Sequence, residues 1–257
     1  MQGAHGMSKI TVYPDNESLV AGAADLIIES AARAIAERGR FTIALSGGET
    51  PRPVYTLLAA AGCLERIDWS RVFIYFGDER CVPPYDPRSN YLMARTVLLD
   101  KAPLPRDNIY RIHGEEAPEK AAADYEDVLR RVFGGGAATG GPPLEGFDLI
   151  LLGMGDNGHT ASLFPGLAAV TEKERWVMAA YVEVAGMWRI TMTPVVINAA
   201  RQVVFLVSGA GKAEILKQVH EGPYQPVVLP AQAVRPASGE VRWLVDRPAA
   251  AQLRMES

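Results

Sequence analysis

Four apolar runs, each broken by a glycine-bearing loop, constrain the fold of this chain more than any other feature. Residues 41–45 stop at Ser46-Gly47-Gly48, and residues 72–76 stop at Gly77-Asp78-Glu79-Arg80. Residues 147–152 stop at Gly153-Met154-Gly155-Asp156-Asn157-Gly158, and residues 203–207 stop at Ser208-Gly209-Ala210-Gly211-Lys212. Short continuous apolar runs of this kind read as strands buried on both faces. Amphipathic stretches lie between them. Residues 17–38 repeat Leu19, Ala23, Leu26, Ile27, Ala31 and Ile35 at helical spacing and end at Gly39, a good helix stop. Thr50-Pro51 reads as an N-cap and first helical residue, with the helix running on through Leu57 and Leu58. Helices are also predicted over 89–99, over 119–132 with a stripe of Ala122, Tyr125, Val128 and Leu129, and from Lys212 to about His220. Residues 10–13 and 241–245 add strands, and 177–184 and 189–193 alternate like a strand pair. The Gly- and Pro-rich stretch 134–146 reads as a surface loop.

Strands alternating with helices predict an α/β protein with a mostly parallel sheet covered on both faces. Ligands of such sheets bind outside the carboxyl ends of the strands. Parallel strands would bring the four glycine loops to one edge and place Arg80, His159 and Lys212 in one cleft. Each loop alone has two readings. Ser46-Gly47-Gly48 before a helix start is either an anion-binding turn or a plain connection. Gly77 to Arg80 reads first as a solvated turn with internal ion pairing. In the alternative, Arg80 clamps an anion and Asp78 and Glu79 orient it. Lys212 is either a point charge for a phosphate or an exposed lysine. Its loop is no Walker A motif, because the spacing fails and Ala213 follows the lysine.

His159 is one of four histidines and the one that follows a buried strand and a glycine loop. Imidazole titrates near neutrality, which suits a general base. His113 and His220 sit in turn-like or helix-end settings and are read as surface residues. Gly153-x-Gly155-x-x-Gly158 also spells the dinucleotide fingerprint, so a nicotinamide-dependent oxidoreductase is an alternative from another class. Against it, Pro165-Gly166 cuts short the helix that should come next, and a histidine directly after the last glycine fits poorly. The chain contains no GxSxG elbow and no HExxH motif, so water activated by a base, without metal or covalent intermediate, is the simplest chemistry left.

The chain has 257 residues, 48% hydrophobic and 22% charged, and a net charge of −4. That composition supplies a globular core. An acidic balance argues against nucleic acid as main partner, since phosphate backbones are held by an excess of Lys and Arg. Cys63 and Cys81 stand in no CxxC pair and read as reduced thiols of a cytoplasmic protein. No signal peptide and no membrane-spanning stretch is expected. Residues 1–8 read as a tail or tag and 9–257 as one domain. Oligomeric state stays open, a monomer included.

Taken in order, several segments resemble the glucosamine-6-phosphate isomerase/6-phosphogluconolactonase family. They are Ala44-Leu45-Ser46-Gly47-Gly48-Glu49-Thr50-Pro51, residues 76–83, Ser89-Asn90-Tyr91, residues 152–166, Arg189-Ile190-Thr191-Met192-Thr193, residues 208–212 and Leu229-Pro230-Ala231-Gln232. The resemblance implies a three-layer α/β/α fold like that of the deaminases, no cofactor, and hydrolysis of 6-phospho-D-glucono-1,5-lactone. It implies His159 as base, with Arg80, Lys212, Ser46, Gly47 and Gly48 on the phosphate, Arg189 in a less defined binding role, and Asp78, Gly155 and Gly158 in support. The deaminase branch is the nearest rival. Its motif continues toward Ile-Ala-Phe-Asn-Glu-Pro, whereas here Gly158-His159 runs into Thr160-Ala161-Ser162-Leu163-Phe164-Pro165. The family most often has Asp directly before the Gly-His pair, and here that position is Asn157, with Asp156 one residue earlier. The expectation is that His159 is oriented by neutral Asn157, or else that Asp156 swings in.

Overall fold

In this computed structural model, residues 8–134 and 145–254 are described. Most of the predicted 134–146 loop, and the tail before Ser8, lie outside them. The chain begins with β1 (Ser8–Tyr13), α1 (Asn16–Arg38), β2 (Phe41–Leu45), α2 (Pro51–Leu58) and a short α3 (Ala61–Leu64). It continues through β3 (Val72–Phe76), β4 (Asp78–Arg80), α4 (Asn90–Ala94), α5 (Pro118–Phe133) and β5 (Leu149–Gly153). The last third holds β6 (Val177–Val182), β7 (Met187–Met192), α6 (Pro194–Ile197), β8 (Gln202–Val207), α7 (Ala213–Glu221) and β9 (Glu240–Asp246).

Six strands form one sheet in the order β1-β9-β8-β5-β2-β3, with every pairing parallel. All five residues of β2 and all six of β8 are buried, as strands covered on both faces must be. The helices flank this sheet, which makes the expected α/β/α arrangement. From β2 the chain builds outward to β3, and from β5 it builds the other way to β8 and β9. The strand order therefore reverses between β2 and β5. Their carboxyl ends diverge there, and such a switch point leaves a crevice for a ligand.

A second, three-stranded antiparallel sheet, in the order β4-β7-β6, grows from this edge. Gly77 joins the two sheets: its N–H donates to Leu45 O at 3.0 Å and its carbonyl accepts from Met192 N at 2.8 Å. Helix α5 packs on β6 and β7, and its Tyr125 hydroxyl both accepts from Phe76 N and donates to Phe76 O.

Several expectations need correction. Gly77 to Arg80 is no solvated turn: Asp78 and Glu79 are 5% and 2% exposed and belong to β4. Thr50 has helical backbone angles and its side chain makes no capping bond, although Pro51 does open α2. The helix predicted over 89–99 is α4 followed by a wider-wound turn over Arg95–Leu99, and the strand beginning at 177 ends at Val182, not 184. His220 is not a free surface residue; its ring packs edge-on against Trp243 at 4.5 Å.

Candidate active site at the carboxyl edge of the sheet

The crevice at the switch point is a cleft of about 320 Å³. Ser46, Gly47 and Gly48 bring the end of β2 to it, Asp78 and Arg80 bring β4, and Gly153, Gly155 and His159 bring the loop after β5. Arg189 enters from β7 and Lys212 from the turn before α7. Of the residues named from sequence, Asp156, Asn157 and Gly158 of the His159 loop and Glu79 of β4 do not line it. Asn90 lines the cleft, although the sequence reading assigns it no role.

The His159 loop is built to present one ring. Gly155 N–H donates to His159 O at 2.9 Å, and Gly158, at φ 75°, donates to Gly155 O at 3.0 Å. Thr160 Oγ1 closes the loop on Gly153 O at 2.9 Å. A Cβ at Gly155 would stand 1.9 Å from the imidazole, so only glycine admits the ring there. Ala161 holds φ 47°, an uncommon conformation for a side chain-bearing residue, at the cleft wall. The other face of the imidazole stacks on Phe164, with centroids 3.9 Å apart. No helix opens after Gly158, and the next helical piece is a short turn at Ala168–Thr171. A dinucleotide fold needs that helix to meet the pyrophosphate, so the nicotinamide reading loses its structural basis.

Nδ1 of His159 lies 2.6 Å from Asn157 Oδ1, which also accepts from His159 N at 3.2 Å. An amide oxygen can only accept, so it holds the proton on Nδ1 and leaves the Nε2 lone pair unprotonated. Asp156 does not swing in; its carboxylate is ion-paired with Lys212. Burial lowers the His159 pKa to about 4, opposed by Asp78 and helped by Arg189 and Lys212. The ring is therefore neutral at physiological pH and ready to accept a proton.

The cations share a different logic. The β4–β7 register sets Arg80 directly opposite Arg189. Like charges facing across a strand pair repel, so this pairing favours an anion nearby. Asp78 supplies part of it, with its carboxylate 3.9 Å from Arg189, but it stays on the Arg189 side and does not orient the Arg80 guanidinium. Glu79 binds the backbone N–H of Arg80, at 2.8 Å, and not its side chain. Arg80 Nε, Arg189 Nε and Ser46 Oγ are buried without any hydrogen-bond partner. Buried polar groups are rarely left so, and three on one cleft describe a place for an oxyanion. Sequence reasoning missed Ser162, whose hydroxyl donates to Asp78 Oδ2 at 2.6 Å, and Asp246, which accepts from Gly209 N at 3.0 Å and so fixes the loop carrying Lys212. Neither has a local sequence signal, because both act across long chain separations.

Comparison with known proteins identifies the family. The family model described as glucosamine-6-phosphate isomerases/6-phosphogluconolactonase matches residues 14–243. A 6-phosphogluconolactonase of Nostoc sp. is 41% identical over 95% of this chain and 98% of its own length. The structure of 6-phosphogluconolactonase from Trypanosoma cruzi superposes with a TM-score of 0.84 at 29% identity, over 99% of this chain and 100% of that one. A monomeric glucosamine-6-phosphate deaminase shares the fold, with a TM-score of 0.79 at 21% identity over 95% of this chain and 99% of its own. With the family model covering nearly the whole chain and a relative this similar end to end, the protein belongs to the glucosamine-6-phosphate isomerase/6-phosphogluconolactonase family.

Proposed function

We propose that the protein hydrolyses 6-phospho-D-glucono-1,5-lactone to 6-phospho-D-gluconate, the lactonase step of the oxidative pentose phosphate pathway. The observation that carries this reading is the facing pair Arg80 and Arg189 in one cleft with a neutral imidazole. The pair selects an anionic substrate, and the imidazole supplies a base for a reaction at its other end. Arg80, Lys212 and the Ser46-Gly47-Gly48 turn hold the phosphate, with Arg189 adding positive charge. His159 Nε2 takes a proton from a water as its oxygen attacks the C1 carbonyl. The tetrahedral oxyanion collapses, the C1–ring oxygen bond breaks, and the imidazolium returns the proton to the leaving ring oxygen. The unpaired thiols Cys63 and Cys81 suit a cytoplasmic enzyme, and this placement belongs to the same proposal.

The segment after His159 favours the lactonase branch over the deaminase branch. Thr160 to Pro165 replaces the Asn-Glu-Pro segment, and Phe164 stacks on the ring that a deaminase would pair with a carboxylate. The test is a rapid assay on freshly made phosphorylated lactone against its spontaneous hydrolysis. His159→Ala should fall to the spontaneous rate while still binding 6-phosphogluconate. Near-normal turnover of that variant excludes His159 as base, and ammonia release from glucosamine 6-phosphate would move the protein to the deaminase branch.

A further inference from the structure

We propose that Asn90 selects the sugar, its side-chain oxygen Oδ1 accepting a hydrogen bond from one ring hydroxyl of the substrate. Asn90 is 3% exposed, opens α4 and lines the cleft between Asp78 and Gly47. Its Nδ2 donates to Asp78 O at 2.9 Å and to Asp78 Oδ1 at 3.0 Å. Both acceptors leave no choice of amide orientation, so the nitrogen faces Asp78 and Oδ1 faces the cleft. Among the described residues no protein group donates to Oδ1, yet it is not one of the sealed, partnerless polar atoms. A rigid acceptor is thereby left open to the ligand.

The surroundings fix it there. Asn90 N donates to Glu79 Oε1 at 2.7 Å, and Asp78 is held on its far side by Ser162. A Cβ at position 47 would stand 1.8 Å from Oδ1, so the glycine of the anion-binding turn is also what lets the amide reach the cleft wall. An amide oxygen accepts and cannot donate. Of the groups on a phosphorylated aldonolactone, the phosphate dianion, the lactone carbonyl and the ring oxygen have no proton to offer. Only the hydroxyls do. Oδ1 stands beside the Ser46-Gly47-Gly48 turn, but as an acceptor it cannot bind the phosphate dianion held there, so its partner is a hydroxyl of the adjoining carbon skeleton.

This inference rests on the lactonase reading, and the experiment separates the two. Wild type and Asn90→Ala are assayed for kcat/KM on the phosphorylated lactone and on its 2-deoxy, 3-deoxy and 4-deoxy analogues. Hydrolysis of the parent by wild type at no more than the spontaneous rate would sink the lactonase reading itself. With activity present, wild type should lose about tenfold on one deoxy analogue, the scale of a single lost hydrogen bond in a polar site. Asn90→Ala should lose about tenfold on the parent and no more on that analogue. An equal loss on all four lactones would show a merely structural residue and overturn the proposal. Wild type that treats all three analogues like the parent overturns it without any variant. Asn90→Ser, whose hydroxyl can donate to Asp78, completes the same cycle where Asn90→Ala does not fold, and it is read by the same two outcomes.

Discussion

At the residue scale the proposed base, His159, and its partner Asn157 set the expected pH response. Burial holds His159 at about 4, and its partner Asn157 adds no charge. The free enzyme should therefore keep its kcat/KM as pH falls toward 5 and lose it near 4. Asn157→Asp puts a carboxylate against Nδ1, stabilises the imidazolium and raises its pKa by about 1–3 units. The acidic limb of the kcat/KM profile should move up with it, because the base is then protonated over a wider range. An unmoved limb would mean that some other group titrates. Lys212 presents a smaller effect of the same kind. On the proposed reading, its ion pair with Asp156, which is 86% exposed, would compete with the substrate phosphate for the ammonium. Asp156→Asn should lower KM by up to about fivefold at low ionic strength, with the difference fading in high salt. A KM that is unchanged at every ionic strength would show that Asp156 does not restrain Lys212.

At the element scale, β4 is where sequence and structure part. The sheet strands were legible, since β2, β3, β5 and β8 are apolar runs that end in glycine loops, and the crevice they share followed from their direction. Asp78-Glu79-Arg80 carries no apolar signal at all, and it is a strand because β7 pairs with it and because its charges are met from elsewhere. Glu79 accepts from Asn90 N at 2.7 Å, Tyr91 N at 2.8 Å, Arg80 N at 2.8 Å and Ser89 Oγ at 2.9 Å. Ser89 in turn caps α4 through Leu92 N. One buried carboxylate thus ties the Arg80 strand to the helix that carries Asn90. That connection is invisible in a sequence, where its ends look like a turn and an unrelated cap. Glu79→Ala strips the acceptor from three backbone donors and should cost about 3–5 kcal/mol, at about 1–3 kcal/mol for each donor left without a partner. Urea midpoints measure it. A loss below about 1 kcal/mol would mean that the turn rearranges without the carboxylate.

At the scale of the whole molecule, two neutral histidines make stability depend on acid. His159 and His220 both have pKa values lowered from 6.5 to about 4, each chiefly by burial. His220 lies in the last turn of α7, where the helix dipole favours an imidazolium. Burial against Trp243 outweighs it, and Nε2 is sealed without a partner. The unfolded chain takes up these protons near 6.5 and the folded one only near 4, so the contribution to stability is fully present above 6.5. It falls away as pH drops through that window. From the linkage relation each ring contributes a loss of about 2 kcal/mol by about pH 5. His220→Phe removes one of the two titrations and the orphaned nitrogen while keeping an aromatic ring against Trp243. The variant should match or exceed wild-type stability at about pH 7.5 and lose about 2 kcal/mol less than wild type on going to about pH 5, read from urea unfolding at both values. Parallel losses in the two proteins would show that His220 charges freely in the folded state. His220 does not line the cleft, so lactone turnover in the variant should stay at the wild-type level. That readout separates the stability effect from the titration of His159, the proposed base.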